Sequence, residues 1–264
     1  LDSNFQVVES FSQLICPSVY QELNERTQKL IGLTAEELAG GVPFQAAACR
    51  FLGWCGKEGT FCTWGNMDLT ELQRNMRFFG VESRLAKPLK YFDVQKLFSL
   101  AYEDRKARRS LEYAVDYLHL SKDCVFHRAL EDANYTAQIF RQIDRKYMVN
   151  YSIDYYQCPR SRAEEIYAVF PTYSKYVSRE FASKERAMSD REVTSTRCCL
   201  CGRPAKRKIR WFAGQGRNYY CLAWCEEHGY LKGKIRLKKA EDGRLFAVKT
   251  LKSVTGEEAG SIKE

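Results

Sequence analysis

His127 stands five residues before Asp132, and the segment that joins them continues as a run ending at Phe140. A carboxylate can hold a divalent ion and an imidazole can take a proton from water, so the pair suits metal-assisted hydrolysis. A second acid stands upstream, in Thr63-Trp64-Gly65-Asn66-Met67-Asp68. A third group of residues points to a different metal. Cys198-x-x-Cys201-Gly202 and Cys225-x-x-His228-Gly229 repeat one pattern, two ligands three apart and then Gly. In a zinc knuckle the chain must turn sharply past the second ligand, and Gly supplies the freedom. The spacing selects Cys198, Cys201, Cys225 and His228 for a closed, structural zinc site. Cys221 could replace Cys225 or His228, and Cys199 could replace Cys198. Plainer alternatives stand beside each reading. His127 and Asp132 could be solvated residues of an ordinary amphipathic helix, Asp68 could merely cap one, and the thiols could be buried without metal.

The elements that must position these groups can be read from spacing. Leu130, Ala133, Ala137 and Phe140 recur at helical intervals, which predicts a helix from Asp132's neighbourhood to about Met148. Thr60–Trp64 reads as a short buried strand, and Met67–Phe79 as the helix after it. Asp68 then lies at the carboxyl end of a strand, where open α/β sheets bind ligands. Thr34 and Glu37 form a capping box, and Pro43 opens a helix running to about Trp54. Further helices are expected over 18–31, 34–40 and 109–120, and a β-prone run over 3–13. Residues 90–98 mix strand and helix signals. The class is mixed α/β. The strands are too few for a complete central sheet, so one or two more are expected upstream of Leu1.

The 264 residues suffice for one ordinary domain and a small one. Residues 198–254 carry fourteen Lys/Arg against four Asp/Glu, whereas the rest of the chain is nearly neutral. A basic module on a neutral body suggests a polyanionic partner, or simply a soluble basic face. Of the eleven Cys, six (Cys16, Cys49, Cys55, Cys62, Cys124, Cys158) are scattered among apolar neighbours. That suits a reduced, cytoplasmic protein better than a disulfide framework. No apolar run approaches bilayer-spanning length, and no membrane partner is expected. Within the basic module, Lys232–Lys239 alternates and should pair with Arg244–Leu251 through Asp242-Gly243. Its basic residues and the nearby Trp211, Phe212, Tyr219 and Tyr220 suit a single strand with stacked bases. The aromatics equally suit a small core. Residues 149–197 read as a connecting segment and 255–264 as a disordered tail.

Trp64-Gly-Asn-Met-Asp68, with Ser110-Leu111 and His127-Arg-Ala-Leu-Glu-Asp132-Ala in this order, resembles the DnaQ-like DEDDh 3′–5′ exonucleases. It is most similar to the subgroup containing KapD and the histone-mRNA exonucleases. Leu30-Ile-Gly-Leu-Thr34, Pro43-Phe44 and Phe51-Leu-Gly-Trp54 match the subgroup's middle segment, and the resemblance covers about residues 1–142. It implies a ribonuclease H-like exonuclease fold over 1–148, followed by a zinc-ribbon-like β module over 198–254. It implies that Asp68 and Asp132 bind Mg²⁺ or Mn²⁺ and that His127 is the general base. It also implies hydrolysis of terminal phosphodiesters of single-stranded nucleic acid to nucleoside monophosphates, RNA being favoured over DNA by the subgroup. One departure matters. The family's first motif, Asp-x-Glu, is absent from these residues, and Asp2 and Glu9 do not form it. A two-metal site needs about four carboxylates, and two are present, so the chain as it stands is expected to be a truncated and inactive or impaired form. The rival expectations are a non-catalytic nucleic-acid-binding protein acting through the zinc module, and a protein–protein scaffold.

Overall fold

The computed structural model describes residues 1–19, 24–83, 85, 87–104, 107–122, 126–240 and 242–262. Cys124 and part of the helix expected over 18–31 lie outside them. The chain forms two compact units, Leu1–Asp154 and Tyr155–Glu264.

The first unit is mixed α/β. Its helices are α1 (Glu25–Ile31), α2 (Ala35–Ala39), α3 (Phe44–Cys55), α4 (Met67–Phe78), α5 (Val94–Tyr102), α6 (Leu111–Tyr117) and α7 (Ala129–Gln142). Its strands are β1 (Phe61–Thr63), β2 (Leu89–Asp93) and β3 (Ser152–Asp154), in the order β1-β2-β3. β1 and β2 run parallel, with Thr63 opposite Asp93, and β3 is antiparallel to β2. The mixed signals over 90–98 have a direct cause: β2 passes into α5 without a loop. The Asp93 side chain accepts from Lys96 N at 2.9 Å, closing the first turn of the helix on the last residue of the strand. The Thr34–Glu37 capping box forms at the head of α2 as expected.

The core gathers Val94, Leu97 and Phe98 of α5, Ala114 and Val115 of α6, and Tyr135, Ile139 and Phe140 of α7. Each large apolar side chain buried this way stabilises by roughly 1.5–3 kcal/mol. Of the positions whose spacing predicts α7, only Phe140 is buried; Tyr135, Thr136 and Ile139 are the others that the helix buries, and Ala133 is exposed.

Two expectations fail here. The run 3–13 makes no strand; Asp2 Oδ1 instead accepts from Asn4 N and Gln6 N, both at 2.8 Å, and Phe5 turns to φ +62°. β-propensity without a paired neighbour does not suffice. The last helix stops at Gln142 rather than near Met148. Ile143 is extended, and Asp144 caps a separate 3₁₀ turn over Arg145–Asn150.

The second unit is a six-stranded antiparallel sheet. It comprises β4 (Ile166–Val169), β5 (Tyr173–Phe181), β6 (Lys206–Ala213), β7 (Asn218–Cys225), β8 (Gly229–Lys239) and β9 (Leu245–Ser253), in the order β4-β5-β9-β8-β7-β6. Helices α8 (Lys184–Ser189) and α9 (Arg191–Thr194) cover one face through Ala187, Met188 and Val193. Helix α10 (Gly256–Gly260) packs Ala259 on Leu222 of the other. The β8–β9 hairpin closes as expected, Lys239 opposite Leu245, with Gly243 at φ +86° in the turn.

This corrects two expected boundaries. Residues 149–197 are no connector, because β3 completes the first unit's sheet while β4 and β5 belong to the second unit's. The tail is not featureless either: Thr255 and Glu258 make a capping box that starts α10.

Gly233 of β8 sets how closely Trp211 can approach the sheet. A Cβ there would lie 2.3 Å from Cys221 Sγ and 2.6 Å from Trp211 Cη2. Gly233→Ala should therefore destabilise the second unit by about 1–3 kcal/mol, read as a lower denaturation midpoint. Gly53→Ala is the control. Its Cβ meets nothing within 4 Å in the last turn of α3, so it should stabilise by up to about 0.5–1 kcal/mol.

Candidate active site and metal centre

At the carboxyl end of β1 the chain turns through Trp64-Gly65-Asn66 into α4. Gly65 takes φ +94°, where a side chain would be strained, and Thr63 Oγ1 donates to Gly65 O at 2.5 Å. The Trp64 indole N–H donates to Arg109 O at 3.1 Å, and Gln95 Nε2 to the same carbonyl at 2.8 Å. This turn delivers Asp68 to the first turn of α4.

Asp132 lies in the first turn of α7, which packs on β1. The two acids come close enough to feel each other. Crowding by protein raises the Asp68 pKa above the ordinary carboxylate range, and the charge of Asp132 raises it further, although Asp68 still presents surface to water. Like charges held together in this way are stabilised by a cation.

His127 is exposed and sits at the head of the same helix. Its backbone takes φ +69°, an uncommon conformation for a residue with a side chain. Its N–H donates to Asp132 Oδ1 at 3.2 Å, so one carboxylate oxygen pins the strained turn that presents the imidazole. Strain of this kind costs about 1–3 kcal/mol and tends to gather at working sites.

Sequence reasoning missed two supports. Arg128 Nη2 donates to Gly32 O at 2.9 Å, tying the head of α7 to the end of α1. Asp93, at the carboxyl end of β2 beside Thr63, is spent on structure: it caps α5 and pairs with Arg108 at 3.5 Å. The abrupt strand-to-helix junction at Asp93 was the signal for it.

In the second unit, one atom each of Cys198, Cys201, Cys225 and His228 falls within 4.8 Å of the others. Cys201 Sγ and His228 Nδ1 each lie 3.7 Å from Cys225 Sγ. Gly202 and Gly229, one past each pair, take φ +71° and +73°. Arg203 of the first knuckle pairs with Glu227 of the second. The Cys225 thiol is drawn down to about 6, chiefly by His228, while Cys201 is lowered mainly by the Arg203 backbone. His228 is raised, first by Cys225. Burial pushes Cys198 up to about 11. Three thiols and an imidazole converging in two Gly-ended turns form a donor set that fits zinc. Neither alternative joins this group. Cys221 is a buried thiol against Gly233, raised to about 12 by burial, and Cys199 is a buried neighbour raised for the same reason.

Asp68 follows the carboxyl end of a parallel strand, and Asp132 and His127 lie at the entrance of the helix packed on that strand. The exonuclease family model (RNase_T) matches residues 1–140, more than half of the chain. The chain belongs to that exonuclease family. It is 27% identical over 150 residues to a Bacillus subtilis (strain 168) protein named "Probable 3'-5' exonuclease KapD"; the match covers 54% of this chain and 70% of that one. Among solved structures, a full-length 3'-exonuclease is 19% identical with a TM-score of 0.43. Cell-death related nuclease 4 (CRN-4) is 14% identical with a TM-score of 0.43. These matches cover 52% and 56% of this chain, and 64% and 56% of those chains.

The like-charge pair carries a signed prediction. A carboxylate whose folded pKa is raised costs stability above its unfolded pKa and costs nothing once both states are protonated. Without added divalent metal, Asp68→Asn should therefore raise the melting temperature at neutral pH. The gain should fade below about pH 4. Melting curves of both proteins across that range check it, and a gain that persists in acid would count against the pairing.

Proposed function

We propose that this chain carries the active site of a metal-dependent 3′–5′ exonuclease acting on single-stranded nucleic acid, RNA in preference to DNA, and releasing nucleoside monophosphates. The observation that supports it most is the pairing of Asp68 with Asp132 at the end of β1, with His127 N–H fixed on Asp132. In this reading Asp68 and Asp132 hold Mg²⁺ or Mn²⁺, which supplies charge neutralisation at the scissile phosphate and a more acidic water. His127 accepts the proton of the attacking water. Its exposure lets substrate reach it, and the Asp132 contact keeps the imidazole at the helix entrance. Two carboxylates are half of the set that a two-metal site uses, so hydrolysis by these residues alone should be absent or impaired. Supplying two further carboxylates on an added Asp-x-Glu strand should raise it.

The reading extends to the second unit. Cys198, Cys201, Cys225 and His228 hold a structural zinc ion that closes one end of its sheet. Lys232, Lys234 and Arg236 alternate along β8 on the face opposite buried Leu231, Ile235 and Leu237, with Lys252 opposite Lys232 on β9. The Lys232 and Lys234 ammonium groups sit 5.9 and 5.7 Å from the Tyr220 ring. That face supports the second reading, a nucleic-acid-binding role independent of catalysis.

The test uses 5′-labelled single-stranded RNA with Mg²⁺ or Mn²⁺, on this chain and on a form supplied with an added strand bearing Asp-x-Glu. Products should shorten from the 3′ end. Asp132→Ala should abolish hydrolysis while leaving binding, and His127→Ala should slow it by about 10²–10⁴-fold. Absent hydrolysis with salt-sensitive binding retained would favour the binding reading.

Zinc has its own test. The purified protein should contain stoichiometric zinc, and a chelator or Cys201→Ser should unfold the second unit, since structural zinc contributes folding free energy directly. Unchanged melting after complete metal removal would refute the assignment.

A further inference from the structure

A second concave site lies in the second unit, on the sheet face that carries α8 and α9. Arg207, Arg210, Trp211, Tyr219, Met188 and Thr194 line an open cleft of about 690 Å³. The strand that builds it is irregular. β6 pairs with β7 through two register shifts, one between Arg207 and Ile209 and one between Ile209 and Phe212. Bulges re-aim side chains. Here they turn Ile209 and Phe212 toward the core under α10 and leave Arg207, Arg210 and Trp211 on the cleft.

The wall is fixed rather than loose. The Trp211 indole N–H donates to Thr194 O at 2.8 Å, and its ring rests where Gly233 lacks a side chain. The Lys184 ammonium stands 5.5 Å from the Tyr219 ring and adds a third cation beside the cleft. Both arginines are exposed, and neither forms an ion pair with another described residue.

We infer that this cleft binds a nucleotide unit, its phosphate held by Arg207 and Arg210 and its base against the Trp211–Tyr219 wall. The chemistry selects that class. A guanidinium fork matches phosphate oxygens, and two of them three residues apart ask for an anion with several acceptors. The partly exposed Trp211 indole beside them, backed by the buried Tyr219 ring, offers stacking that inorganic phosphate cannot use and a flat base can. An uncharged apolar ligand would leave both guanidiniums without a partner. The site is separate from the paired acids, so it stands whether or not the chain hydrolyses RNA.

The nucleotide can be a free monophosphate or one unit of a strand, and the experiment separates them. Binding of adenosine and uridine monophosphates is measured by calorimetry, and binding of a labelled oligouridylate by fluorescence polarisation. No divalent metal is added, so no hydrolysis confuses the readout. The variants are the Arg207→Gln/Arg210→Gln double substitution and, as a charge-matched control on the same strand, Lys206→Gln/Lys208→Gln. Melting temperatures verify that both fold. The arginine double variant should lose at least about tenfold in affinity, the control much less. Loss for monophosphates as well as oligomer assigns a pocket for the free nucleotide; loss for the oligomer alone assigns a strand unit. Equal losses in both double variants, no loss in either, or inorganic phosphate binding as tightly as the monophosphates would overturn the inference.

Discussion

Two carboxylates repel, and the first unit holds Asp68 and Asp132 together regardless. Everything around them can be understood as the means of doing so. The parallel pairing of β1 with β2 sets one end, because a parallel ladder ends all its strands on the same side. The tight turn at Gly65 then starts α4 within a few residues, and the apolar stripe of α7 seats the second acid on the same strand. Leu97, Phe98, Ile139 and Phe140, essentially withdrawn from water, hold α5 and α7 in place around them. The strained backbone at His127 belongs to the same economy: a buried helix can hold a terminal residue in a conformation that a free loop would abandon.

The second unit meets the opposite electrostatic problem. Its sheet is crowded with cations, and strand alternation sorts them. On β8 one set of positions is apolar, with Ile235 and Leu237 under α8 and α9, while the alternate set is Lys, Lys, Arg and Lys. One cation breaks the rule. Lys249 of β9 is buried, and its ammonium donates to Glu192 O at 2.5 Å, Ser195 O at 3.0 Å and Ser195 Oγ at 2.8 Å. These acceptors lie at the end of α9, where Glu192 O also accepts from Ser195 N. Burial still lowers its pKa to about 8. The lysine thus serves as the cap that fastens a four-residue helix, too short to hold itself, to the sheet.

Much of this was legible in the sequence because it was local. A capping box, a Gly after each pair of candidate ligands and an Asp-Gly hairpin are all set by neighbours within a few residues. The four candidate zinc ligands could be named because two short copies of one pattern carry them. What escaped was long-range. β4 and β5 hide because β5 buries serines: Ser178 Oγ donates to Arg179 O and accepts from Ala247 N, each at 2.8 Å. A strand whose inward positions are polar but bonded lacks the apolar alternation that a reader looks for. Conversely, the 3–13 run has β-prone residues and pairs with no strand among the described residues. Asp93 was missed as a site neighbour because only the β1–β2 register puts it beside Thr63.

The two β6 bulges show how little sequence change separates a core strand from a binding strand. Without them, regular alternation from Arg207 would place Ile209 on the same face as Arg207, and Trp211 with it. The two register shifts let Ile209 and Phe212 serve the core under α10, while the arginines and Trp211 share the opposite side. β6 ends the order of its sheet, where inserting a residue disturbs one neighbour rather than two. The cleft therefore lies at the place where irregularity costs the fold least.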